Sequence, residues 1–189
     1  MRSAVKPSLF ALFGFCALAL PGLAQAQSRD TSSKTVNIVG TAPAMCFAGT
    51  LTGTGNYDLG VLIDTTTGQL RSDLTAPAQI LVGSFCTGRS TISVAATPLE
   101  AQNFTAQPPS GFARRVDYTA TASGWTVTPA RYSTGAATNS AATQARPTSF
   151  SGDVTVAISD FATTGGQSLR LVADGSYRGL VTVTIAAVN

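Results

Sequence analysis

Two cysteines, Cys46 and Cys86, are the residues of this chain whose type and spacing carry the clearest chemistry. A third cysteine, Cys16, lies in a segment that we expect to be removed from the mature protein. An even pair favours a disulfide if the chain reaches an oxidising compartment. Closing a loop of about 40 residues would stabilise the fold by about 4 kcal/mol, because the unfolded chain loses entropy. The alternative is two separate buried thiols.

The first 26 residues have the features of a secretory signal peptide. Arg2 and Lys6 precede an apolar run over residues 9–20, and residues 24–26 form a small-x-small cleavage site. The apolar run is too short to cross a bilayer, and no later run is long enough. We therefore expect a secreted protein whose mature chain has no transmembrane span.

The side chains that enzymes use most often are scarce. The chain has no histidine, which removes the usual general base and the commonest metal ligand. Aspartates such as Asp58, Asp64 and Asp174 stand beside glycines, threonines or predicted strand ends, where aspartates commonly cap turns. Two carboxylates could still meet in space for glycoside hydrolysis. We predict a protein that is not an enzyme and that uses no metal and no cofactor.

Charge is sparse along the whole chain. Charged residues make up 11% of the sequence, with 12 Lys and Arg against 9 Asp and Glu. Loss of Arg2 and Lys6 with the signal peptide leaves a nearly neutral mature chain. No basic cluster is present, so we predict no nucleic-acid partner. The remaining length suits a single domain.

Period-two alternation recurs in the mature chain, and no stretch sustains helical spacing. This pattern predicts an all-β protein with strands at residues 35–39, 57–63, 79–86, 91–96, 112–122, 125–128, 154–161, 168–172 and 180–188. The last strand is the clearest, because Val181, Val183 and Ile185 share one face. Residues 133–148 are rich in Ala, Thr, Ser and Asn and are predicted to be a mobile loop. Short strands joined by Gly and Pro turns favour a two-sheet sandwich, with a closed barrel as the alternative.

Two features could mark a binding surface. Arg114 and Arg115 could contact a partner or a polysaccharide, although a solvated strand face is the favoured interpretation. Trp125, the only tryptophan, could be a binding platform. Packing in the core is favoured, because aromatic side chains contribute most when they are buried.

Four short motifs follow one another along the predicted domain: Met45-Cys46-Phe47, Tyr57-Asp58-Leu59-Gly60, the segment 80–87 with the second cysteine, and Gly175-Ser176-Tyr177. Together with the alternating residues 181–185, they resemble the spore coat protein U family and the archaic chaperone-usher pilins to which that family belongs. In those proteins a cysteine opens the domain and a second follows some forty residues later. A G-x-Y motif precedes the last strand.

The resemblance implies an immunoglobulin-like β-sandwich of the pilin type over residues 46–189 that lacks its final strand. A groove would then lie open beside the last strand and be lined by Val181, Val183 and Ile185. In such pilins a periplasmic chaperone fills the groove first. The N-terminal extension of the next subunit then replaces the chaperone.

The N-terminal extension of this chain would be residues 27–45, between the signal peptide and the domain. Its residues 35–39 alternate and could present Val36 and Ile38 to one buried face as a donor strand. Without the resemblance, residues 35–39 would be interpreted as the first strand of their own domain.

The resemblance further implies a structural subunit of a surface fibre, a fimbrium, or of a coat. Its partners would be identical or related pilin subunits, a periplasmic chaperone and an outer-membrane usher. It would pass through the periplasm to the cell surface and support attachment or biofilm formation. The alternative is a self-complete, immunoglobulin-like periplasmic or extracellular module that recognises a ligand such as a glycan.

Overall fold

A computed structural model describes residues 31–188. The predicted signal peptide, residues 1–26, lies outside the described residues. The described chain divides into two units, residues 31–40 and residues 41–188. The first unit contains no strand, so the strand predicted at residues 35–39 is not formed here.

The second unit is all-β, as the alternation predicts. Its eleven strands are β1 (Cys46–Phe47), β2 (Thr50–Leu51), β3 (Gln79–Cys86), β4 (Ser90–Ala101), β5 (Phe112–Ala113), β6 (Arg115–Ser123), β7 (Ala130–Ser133), β8 (Thr143–Arg146), β9 (Phe150–Thr163), β10 (Arg170–Leu171) and β11 (Tyr177–Ala187). Within residues 31–188, the structure contains no helix with the length and hydrophobicity to cross a membrane.

Nine strands form one antiparallel sheet in the order β1-β3-β9-β6-β4-β11, with β2 beside β3, β7 beside β6 and β8 beside β4. Strands β4 and β6 pair only at Leu99 with Val116 and at Glu100 with Arg115, so the sheet folds back on itself there. At the opposite edges, β1 comes close to β11 without pairing with it. The sheet is therefore nearly closed. This architecture is intermediate between the predicted two-sheet sandwich and the alternative, a closed barrel.

The antiparallel order gives the sheet two distinct ends. The lower end carries the strand termini Cys46, Cys86, Ser90 and Ala187. The upper end carries Ala101, Arg115 and Tyr177. Because β1 starts at the lower end, the preceding residues join the domain there.

The core lies between the facing parts of the folded sheet. Strand β6 shows the alternation that builds it, since every second side chain is buried: Val116, Tyr118, Ala120 and Ala122. Trp125 is fully buried, and its ring lies 4.2 Å from that of Phe150. The core role predicted for Trp125 is confirmed.

Two further predicted strands are wrong. Residues 57–63 form no strand apart from an isolated bridge at Ile63. Leu62 and Ile63 pack against a small second core, so their apolar character reflects burial without a ladder. Residues 125–128 form the loop between β6 and β7, and they alternate because Trp125 turns inward while its neighbours stay at the surface.

The mobile loop predicted at residues 133–148 is also wrong, because this segment is ordered by main-chain pairing. It contains the end of β7 and all of β8, which pairs with β4. The Asn139 side chain accepts a bond from the Ser133 N–H at 2.7 Å and donates one to its carbonyl at 3.1 Å. Small polar side chains do not reveal such pairing in the sequence.

Candidate functional site

The predicted disulfide between Cys46 and Cys86 is present. The two residues face each other across β1 and β3, and Cys86 is buried. Both cysteines pack into the main core. The bond therefore ties the two-residue strand β1 to the sheet as a structural link.

Strands β1 and β2 follow one another along the same edge of β3. Between them, Gly49 has a φ of +79°, and a Cβ at this position would lie 2.6 Å from the carbonyl oxygen of Val82. Only glycine fits this close approach. Leu51 stands opposite Leu81, so both point to the core side, yet Leu51 remains 44% exposed. The sheet edge leaves this apolar side chain uncovered.

Strand β11 forms the other edge of the sheet, and within residues 31–188 it pairs with β4 alone. The N–H of Val188 donates to the carbonyl of Arg89 at 2.9 Å. Antiparallel pairs alternate in the direction of their main-chain groups. The N–H and C=O groups that point away from β4 are therefore those of Val181, Val183 and Ile185.

These three residues have a second property in common. Their side chains pack against the main core but stay partly exposed, while Thr182 and Thr184 face solvent. We use the name open groove for the unpaired edge of β11, the partly exposed inward side chains of Val181, Val183 and Ile185, and the exposed Leu51 at the other edge of the sheet. It combines apolar walls with an unpaired strand edge.

Tyr118 reaches β11 from within the core. Its hydroxyl donates to the carbonyl of Leu180 at 3.1 Å. Burial, and to a lesser extent the nearby Tyr57, raises the pKa of Tyr118 to about 12. The phenol is therefore neutral at physiological pH and acts as a hydrogen-bond donor next to the open groove.

A cleft of about 800 Å³ continues the same edge at the upper end of the sheet, and we call it the upper cleft. Residues 57–63 form one wall, and residues 171–178, including the start of β11, form the other. The hydroxyl of Tyr57 fixes the first wall by donating to the carbonyl of Val156 at 2.7 Å. Burial raises the pKa of Tyr57.

Asp174 fixes the second wall of the upper cleft. Its carboxylate accepts bonds from the N–H of Ser176 at 2.8 Å, from the N–H of Phe104 at 2.8 Å, and from both nitrogens of Asn103. These bonds, the one from Ser176 first, hold the pKa of Asp174 at about 2. Asp58 caps its own turn by accepting the Gly60 N–H at 2.9 Å. The turn-capping role predicted for these aspartates is confirmed.

The remaining charged candidates are engaged within the domain. Arg115 pairs with Glu100 at 3.1 Å, and Arg114 donates to the carbonyl of Thr105 at 3.1 Å. Within the described part of the chain, no three Cys, Asp or Glu side chains come together as a group that could hold a metal ion.

The structure places the predicted groove residues Val181, Val183 and Ile185 together on β11. The predicted donor residues Val36 and Ile38 lie in the first unit, where they are 82% and 97% exposed. Sequence reasoning missed Leu51 and Tyr118, and it included Tyr57 only as part of a short motif. Leu51 sits in a strand of two residues, which is too short to show alternation.

Comparisons of the chain with protein-family models, with curated proteins and with solved structures found no match.

Proposed function

We propose that this chain is a structural subunit of a surface fibre or coat that polymerises by donor-strand exchange. In this proposal the domain is a pilin-type, immunoglobulin-like sandwich without its final strand, and the N-terminal extension of another copy fills the open groove. One observation carries the proposal. Among residues 31–188, the eleven-residue strand β11 is paired along one side only, although its inward side chains pack against the core.

The open groove is unfavourable as long as it stays empty. A long unpaired edge invites another strand, because its N–H and C=O groups lack ladder partners. A strand added there would pair with the main chain of Val181, Val183 and Ile185. It would also cover their side chains and that of Leu51. Addition of a strand to a sheet edge is an established mode of protein recognition.

Residues 35–39 have the properties of the missing strand. Val36 and Ile38 fall on one face of an extended segment, separated by the polar Asn37. Both are almost fully exposed in the described structure. Burial of each side chain would contribute about 1.5–3 kcal/mol before the cost of ordering the segment.

The wider setting belongs to the same proposal. The signal peptide directs the chain to an oxidising compartment, where the disulfide forms. A periplasmic chaperone holds the groove until an outer-membrane usher brings the subunits together at the cell surface. The assembled subunits bind and do not catalyse, and they support attachment or biofilm formation.

Substitution of the donor residues tests the proposal. We expect the secreted wild-type protein to run as a detergent-resistant ladder when it is not boiled. The full-length Val36→Asp/Ile38→Asp variant should run as a single band, because a buried carboxylate opposes insertion. The control is Asn37→Asp, which adds charge on the opposite face and should keep the ladder.

Either of two results would contradict strand exchange through residues 35–39. One is a ladder that persists in the double variant. The other is a wild-type protein that remains monomeric before boiling.

A further inference from the structure

We infer that the upper cleft receives the lower end of the next copy, so that neighbouring subunits touch end to end beside the exchanged strand. This inference rests on the proposed function and adds a second interface to it. The docking surface on the incoming copy consists of residues 43–45 and 87–89, which we call the heel.

The heel is a fixed surface of the lower end. The N–H of Met45 donates to the hydroxyl of Thr87 at 3.0 Å, and the N–H of Thr87 donates to the carbonyl of Met45 at 2.9 Å. Met45 is 54% exposed, and Arg89 is also exposed. The heel therefore offers one apolar and one cationic side chain on a backbone that is already ordered.

The direction of the donor strand decides which ends meet. The extension joins its own domain at the lower end, since Cys46 opens β1 there. A donor that runs antiparallel to β11 leaves its host at the host's upper end, so the heel faces the upper cleft. A parallel donor would bring two lower ends together and would favour a closed pair. The antiparallel direction joins unlike ends, and a contact of that kind can repeat as an open chain.

The short connection to the donor keeps the two domains in contact. Four residues lie between Ile38 and Pro43, so the five steps that join them span at most about 18 Å when fully extended. Strand β11, with its eleven residues, is about 35 Å long. The start of the heel is therefore held within about 18 Å of the donor residue Ile38, which places it beside the host's upper end.

The two surfaces match in chemistry. On the wall formed by residues 57–63, Val61 is 59% exposed, and the exposed Asp58 lines the same cleft. The charged residues that line the cleft are the carboxylates Asp58 and Asp174 and one cation, Arg178. The heel presents Met45 against the apolar part and Arg89 against the carboxylate. Contact would cover apolar side chains that the single subunit leaves in water and would pair opposite charges.

Cysteine cross-linking of the assembled full-length protein tests the contact. We expect fibres of the Arg89→Cys/Val61→Cys variant to form a new disulfide between neighbours after oxidation in air. Such fibres should keep their ladder after boiling in detergent and lose it when a reductant is added. The variant Arg89→Cys/Asp58→Cys should behave in the same way. The matched control is Arg89→Cys/Ser110→Cys, because Ser110 is exposed at the upper end but does not line the cleft.

The outcomes separate the two proposals. A ladder before boiling but not after boiling, in both cleft variants, overturns the end-to-end contact and leaves strand exchange standing. A covalent dimer of Arg89→Cys alone shows that two lower ends meet and overturns the antiparallel arrangement. Absence of any ladder before boiling, in the wild type as well, overturns strand exchange and the contact together.

Discussion

At the scale of single residues, two hydrogen-bonding side chains fix the upper cleft and the strand β11. Asp174 accepts bonds at the cleft, and Tyr118 donates one to β11. Asp174 gathers the N–H groups of a neighbouring loop and so shapes the upper cleft. Tyr118 holds β11 through the carbonyl of Leu180. Both groups have shifted pKa values, in opposite directions and for different physical causes: hydrogen bonds to the charged form for Asp174 and burial of the neutral form for Tyr118.

We expect Asp174 to make stability depend on acid pH. Its folded pKa of about 2 lies below the ordinary value of 3.8, so its contribution is present above pH 4 and is lost as the pH falls towards 2. Asp174→Asn should lower the urea midpoint at pH 6 and weaken the decline between pH 4 and 2. Asp58→Asn, which removes an acceptor of a single N–H, is the control. An unchanged acid profile in Asp174→Asn would contradict this role.

Tyr118→Phe should destabilise the domain by about 1 kcal/mol, because it removes the hydrogen bond to Leu180 from a buried site. Since the folded pKa of Tyr118 is raised to about 12, its contribution is present below pH 10 and is lost as the pH rises towards 12. The free energy of unfolding of Tyr118→Phe should therefore fall less than that of the wild type between pH 10 and pH 12. Urea denaturation at pH 7 and pH 11 measures both effects. Tyr132→Phe, at the edge of the same core, is the control. It should change the stability at pH 7 and its loss at pH 11 less than Tyr118→Phe does.

At the scale of elements, the edge of the sheet depends on very short strands. Strands β1 and β2 have two residues each. The disulfide ties β1 to β3, and Gly49, between the two strands, lets the chain pass close to the carbonyl of Val82. At the other edge, β11 has eleven residues with a register shift between Arg178 and Leu180, and within residues 31–188 it pairs with β4 alone. The open groove therefore exists because a weak edge and a strong edge come close without closing.

We expect the disulfide to contribute much of the stability of the weak edge. Its 40-residue separation corresponds to about 4 kcal/mol of chain entropy in the unfolded state. Cys46→Ala/Cys86→Ala should lower the free energy of unfolding by about this amount in urea denaturation, and hydrogen exchange should accelerate in β1 and β2. Cys16→Ala, within the predicted signal peptide, is the control and should leave the secreted protein unchanged. A loss below about 1 kcal/mol would contradict the role of the disulfide.

At the scale of the whole molecule, the proposed function treats the subunit as complete only with a strand from another copy. An isolated subunit should therefore gain stability from any peptide that supplies this strand. A ligand at 100 times its dissociation constant stabilises its target by about 2.7 kcal/mol. Stabilisation by an added peptide can be measured in a variant whose own residues 35–39 no longer insert into a groove.

We expect a synthetic peptide of residues 31–42 to raise the melting temperature of the full-length Val36→Asp/Ile38→Asp variant. The peptide would pair with β11 and place its own Val36 and Ile38 in the open groove. Calorimetry over a series of peptide concentrations measures the shift. A peptide carrying the same two aspartates should have no effect. Equal shifts with both peptides would contradict recognition through these side chains.

Part of this architecture follows from the sequence because it depends on local patterns. The alternation of residues 181–185 identified β11 and its inward face, and the even cysteine pair identified the disulfide. Trp125 was expected in the core from its size and apolar surface. The strand prediction at residues 57–63 was wrong because burial in the second core produces the same apolar pattern as a strand.

The sequence by itself determined an all-β chain, its clearest strand and the disulfide, since these depend on side-chain periodicity and on cysteine chemistry. The tertiary structure alone decided that β11 pairs with β4 alone within residues 31–188, that β1 approaches β11 without pairing, and that Tyr57 and Asp174 shape the upper cleft. Strand pairing joins main-chain groups far apart in the chain, and those groups are the same in every residue except proline. No side-chain pattern could therefore reveal which edge would remain open.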